Sequence, residues 1–60
     1  MNNAELFVWN EIEEGFIREY GIEDGIRVCD YAQRVYYRSG KMTLAVKAAT
    51  EWASRMRMGV

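Results

Sequence analysis

Glu11, Glu13, Glu14 and Glu19 are the densest group of side chains in this 60-residue chain able to move a proton. Two carboxylates flanking a glycosidic bond suffice for acid–base hydrolysis, but they need a cleft that holds a sugar between them. A chain this short does not readily build one. The same acids cannot form a helical di-iron site, because the Glu-x-x-His element is missing and the sequence contains no histidine. Without histidine, Ser39, Ser54 and Cys29 have no obvious activating base, and the common zinc and iron sites lose their usual ligand. Cys29 falls on an apolar helical face, where a thiol is usually inert. Gly21-x-x-x-Gly25 lacks both the lysine and the preceding strand of a phosphate-binding loop. The expectation is a protein with no catalytic residue, no metal and no cofactor.

Charge offers a second kind of chemistry. Residues 1–30 hold eight acids against Arg18 and Arg27, a net of −6, whereas residues 31–60 hold six bases against Glu51, a net of +5. The basic half suggests nucleic acid. Arg34, Arg38 and Lys41 could clamp phosphates, with Lys47, Arg55 and Arg57 on or beyond a following recognition helix. That makes a helix-turn-helix DNA-binding regulator the alternative function. Against it stand the slightly acidic whole chain and a middle helix longer than that motif uses. An acidic first helix acting as a nucleic-acid mimic is weaker still, since Arg18 is spaced to neutralise Glu14. The two halves can also neutralise one another, within the fold or between subunits.

The elements that place these residues read as three helices in one domain, at about 3–20, 24–39 and 43–58. Asn2 followed by Glu5 resembles a capping box. Ala4, Val8, Ile12, Phe16 and Tyr20 then recur at i,i+4, Trp9 widens the stripe, and Gly21 stops the helix. Asp24 is the expected N-cap of the second helix, whose Arg27, Asp30, Arg34 and Arg38 fall within an arc of roughly 80°. The stretch Arg34 to Val46 can instead be drawn as a β-hairpin pivoting on Ser39-Gly40, since Val35/Tyr37 and Met42/Leu44/Val46 alternate. That drawing requires the apolar period to change from about 3.6 to 2 partway through the segment, so the turn is assigned to a corner between helices. Thr43 is expected to cap the third helix, Lys47/Glu51 and Glu51/Arg55 are spaced to pair, and Gly59 stands where a terminal glycine belongs.

Roughly 250° of the second helix is apolar, more than two neighbours can cover. Tyr36 and Tyr37 are expected at nearly opposite edges of this surplus, and Phe7 lies off the main stripe of the first helix. One chain has too small a core and too much uncovered surface, so an all-α domain assembling as a homodimer is expected. The alanines at 45, 48, 49 and 53 would allow close helix approach inside a subunit or between two. The functional expectation is a small protein-binding regulator or inhibitor acting on a larger host protein or complex, of the sort phages and mobile elements encode. Phe7, Tyr36 and Tyr37 would be apolar anchors, and Arg34 and Arg38 the bidentate donors. A lone cysteine and an N-terminus without a charged or apolar leader point to the cytoplasm and away from the membrane.

Overall fold

The computed structural model describes residues 3–59. Among them are three α-helices and no strand: α1 (Asn3–Tyr20), α2 (Ile22–Ser39) and α3 (Met42–Arg55). The stretch from Arg34 to Val46 is a helical corner, as its unbroken period requires. Gly40 adopts the left-handed conformation (φ 71°) and its N–H donates to the Tyr36 carbonyl at 2.7 Å. The Ser39 hydroxyl oxygen accepts from the Lys41 N–H at 3.1 Å. Asn2, and with it the capping box, lies outside the described residues.

Three boundaries differ from expectation. Asp24 does not cap α2; the N-cap is Gly21, at φ 92° with no side-chain bond, and Asp24 sits inside the first turn. Its carboxylate is used elsewhere, accepting from the Gly59 N–H at 3.3 Å. Thr43 does not cap α3 either. Lys41, extended and without a side-chain bond, is the N-cap, because the two-residue corner leaves no room for a longer approach. At its far end α3 stops at Arg55 rather than Met58. The Met58 N–H donates back to the Ala53 carbonyl and the Arg57 N–H to that of Ser54, so Arg57 takes the left-handed position (φ 56°) usually given to glycine. Gly59 (φ 80°) follows the turn and lies against Tyr20.

The strict i,i+4 row of α1 also behaves differently from its spacing. Each such step rotates about 40° around the helix, so five members drift through about 160°. Ala4 and Val8 are accordingly exposed, Ile12 and Tyr20 are half-buried, and Trp9 and Phe16, seven residues apart, are the buried pair. They close over Val28, Cys29 and Ala32 of α2 and Ala49 and Ala53 of α3.

α1 and α3 each pack along α2 and make no close backbone approach to one another. The molecule measures 34 × 20 × 13 Å over its Cα atoms. Ala45, Ala49 and Ala53 are fully buried, which settles their role as contacts inside the subunit. On the other seam Gly25 meets α1 so closely that a Cβ there would lie 2.5 Å from the Ile17 Cα.

Candidate functional site

With so little chain committed to a core, a large part of the apolar surface stays in water. Phe7 is 65% exposed, Ile22 69% and Tyr37 62%, with Leu6, Val8, Ile26, Leu44 and Met56 also open. On α2 the division follows the helix geometry. Gly25, Val28, Cys29 and Ala32 are buried, while Ile22, Ile26 and Tyr37 project within an arc of about 60° that borders the buried side, its centre about 100° around the helix from theirs. The apolar surplus inferred for this helix is therefore present as an exposed stripe.

The surface is recessed where α2 meets α3. Tyr31 and Trp52 stack in parallel, with ring centroids 4.6 Å apart and an interplanar angle of 5°. Both residues are roughly 12–15 Å along their helices from the Gly40 corner, so the two helices run side by side as a hairpin. Beside the stacked rings is a recess of about 370 Å³ lined by Ile26, Arg27, Asp30, Tyr31, Arg34 and Trp52. A smaller hollow of about 180 Å³ continues it past Val35 and Arg38. Arg34 is held by Asp30 at 3.1 Å, although both side chains stay largely in water, at 77% and 57% exposure. Of the other i,i+4 charges, Lys47/Glu51 and Glu51/Arg55 do not close to ion-pair distance.

The five residues expected to bind a partner are not gathered into one site. Arg34 and Arg38 border the recess and its extension. Tyr37 lies on the exposed stripe, and Phe7 projects from the outer side of α1. Tyr36 is half-buried, edge-on to Trp9 at 5.7 Å. Its ring also meets that of Tyr37 at 5.7 Å, which corrects the expectation that the two tyrosines diverge. Consecutive helical residues are only about 100° apart, and long side chains lean across that angle. Tyr31, Trp52, Ile26 and Arg27 were not singled out from sequence as site residues. No local spacing signals them: Tyr31 precedes Gly40 by nine residues and Trp52 follows it by twelve.

The six basic residues of the nucleic-acid reading, Arg34, Arg38, Lys41, Lys47, Arg55 and Arg57, are all exposed. Their positions are dispersed. Lys47 and Arg55 point from the outside of α3, while Arg57 borders a groove shared with Glu19 and Tyr20 of α1. The Thr50 hydroxyl on that outer side donates to its own helix, to the Val46 carbonyl at 2.9 Å.

The candidate catalytic groups are scattered too. Glu11, Glu14 and Glu19 are exposed and Glu13 half-buried, spread around α1 instead of converging. Among the described residues no group of acids and thiols is placed to hold a metal ion. Burial pushes the Cys29 thiol up to about 11, with smaller contributions from Glu13 and Asp30, so it remains a protonated core side chain. Also among the described residues, no helix is long and apolar enough to cross a membrane.

The chain matches no protein-family model, no curated protein and no solved structure. Its class is that of a small all-α, three-helix domain.

Proposed function

We propose that this chain is a small non-enzymatic regulator or inhibitor that binds protein, working as a homodimer and occupying a surface on a larger protein or complex. The observation that carries the reading is the open apolar surface, above all Phe7, Ile22, Ile26 and Tyr37. Apolar patches that a small domain leaves uncovered mark binding surfaces, and aromatic and arginine side chains are the types that anchor them. Arg34 and Arg38 supply the second type, the former at the edge of the α2–α3 recess and the latter at the adjoining hollow on α2. A buried, unreactive thiol suits the reducing cytoplasm as its place of action.

The test is capture of a protein by the tagged chain from the cells that encode it, followed by reconstitution with both components purified. The reading expects one defined partner in fixed ratio and weaker binding with Tyr37→Ala and Phe7→Ala. Recovery of nothing beyond the chain itself, under conditions where it is folded, would end it.

The second reading, a DNA-binding regulator, draws on the exposure of Arg34, Arg38, Lys41, Lys47, Arg55 and Arg57. It expects duplex binding that falls steeply with salt and is lost in the pair Arg38→Ala, Lys47→Ala. No retardation of any duplex at low salt removes it.

A further inference from the structure

The exposed side of α2 carries a charge pattern of which the functions above use only Arg34. Glu23, Arg27, Asp30 and Arg34 are spaced four, three and four residues apart, the spacing of one coiled-coil seam, and fall within an arc of about 60°. All four are exposed, and their charges alternate. The order is antisymmetric: Glu23 and Arg34 share a midpoint between Val28 and Cys29, and Arg27 and Asp30 share the same one. Turned end for end about that point, the seam presents an acid wherever the original presents an arginine. A surface that complements itself under a two-fold rotation is what an isologous dimer requires.

Apolar side chains flank the seam on both sides. Ile26 and Tyr37 stand open on one, and the stacked Tyr31 and Trp52 on the other, with the recess of about 370 Å³ between the seam and α3. The Asp30 ion pair already holds the Arg34 guanidinium over this face. The buried sides of α2 are taken by α1 and α3, so among the described residues this face of the central helix stays open to a second copy.

We propose that two copies of this chain pack α2 against α2 in antiparallel fashion across this face. Glu23 meets the partner's Arg34, and Arg27 meets the partner's Asp30, each contact made twice by symmetry. The flanking aromatic and aliphatic side chains supply the apolar area, and the charges fix register and direction. This rests on the homodimer reading and specifies its surface.

The test is charge reversal followed by sedimentation velocity over a wide concentration range, with circular dichroism checking that each variant folds. Glu23→Arg and Arg34→Glu each turn two attractions into repulsions and are expected to weaken the dimer about tenfold. The double variant Glu23→Arg, Arg34→Glu restores the pairing with signs exchanged and recovers most of the affinity. Glu51→Lys, an equal charge change on the outside of α3, leaves it unaltered. A dimer insensitive to both single reversals, or a double variant no tighter than the singles, overturns the assignment of this face while self-association stands. A strict monomer at every concentration overturns both.

Discussion

The two seams of this molecule close by opposite means. Between α1 and α2 the helices come together at a point: Gly25 offers no side chain, and the Ile17 and Phe16 backbone fills the space a Cβ would occupy. Large aromatics then cover the remainder of that seam, with Trp9 edge-on to Tyr36 and Phe16 buried beside Tyr20. Between α2 and α3 the closeness is shared among Ala45, Ala49 and Ala53, one per turn, and the outer margin is the Tyr31–Trp52 stack. A contact concentrated at one backbone position has no side chain that can give way. A contact distributed over three turns loses strength in steps.

The largest expected effect follows directly. In an unconstrained helix Gly25→Ala would gain about 1 kcal/mol from helix propensity. Here the new Cβ would lie 2.5 Å from the Ile17 Cα and 2.6 Å from its nitrogen, so α1 must move as a body. The loss should exceed about 3 kcal/mol, comparable with the whole stability of a domain of this size. Denaturant titration should show the variant largely unfolded in plain buffer; a cooperative fold near wild-type stability would break the comparison.

Trp52→Ala probes the other seam. Removing a half-buried ring from a stacked pair should cost about 2 kcal/mol, leaving a folded protein because the alanine row is untouched. A loss as severe as that at Gly25 would mean that the α2–α3 contact is also concentrated at one point.

What was legible in the sequence divides along the same line. Period alone located all three helices and chose the corner at Ser39-Gly40 over a hairpin, because the apolar side of α2 continues unbroken through Val35 and Tyr36. The apolar excess of that helix was legible in part: Ile26 and Tyr37 emerge from it, whereas Tyr36, expected at its edge, is half-buried, and the exposed Ile22 precedes the expected start of the helix. The starts of α2 and α3 and the end of α3 were not, since contacts beyond the local sequence help decide them. Asp24 looks like a cap from its neighbours, yet its carboxylate receives the N–H of Gly59, thirty-five residues away. Gly25 reads as punctuation in a linear scan and is instead the closest approach of two backbones. Likewise the recess depends on Tyr31 finding Trp52 across the corner, a pairing that no local spacing encodes.

Cys29 sharpens the account of the first seam, because its thiol lies in the buried layer and also feels Glu13 from α1. Burial raises it from 9.0 to about 11, so the folded protein holds a proton that the unfolded chain releases. Its contribution to stability is complete below about pH 9 and is lost as the pH climbs towards 11. Tyr20, raised by burial and by Glu19, titrates in the same direction, so the informative quantity is the difference between wild type and Cys29→Ala. The wild type should lose more stability over this interval than the variant, and thiol reagents should label Cys29 only on unfolding.

The smallest effect is a gain, at the place where α3 returns to the other two helices. Arg57 occupies a left-handed position at φ 56°, costly for a residue with a Cβ, so that the Met58 N–H can reach the Ala53 carbonyl. Met58 thereby packs against the core, and Gly59 lands on Tyr20 and Asp24, at the junction of α1 and α2. Arg57→Gly relieves the strain without disturbing these contacts and should raise stability by about 1 kcal/mol, read as a higher denaturation midpoint with unchanged slope. Arg57→Ala keeps the strain while removing the same guanidinium, so it separates backbone relief from loss of charge. If alanine stabilises as much as glycine, the arginine's charge beside the basic end of α3 is the cause and the turn is not strained.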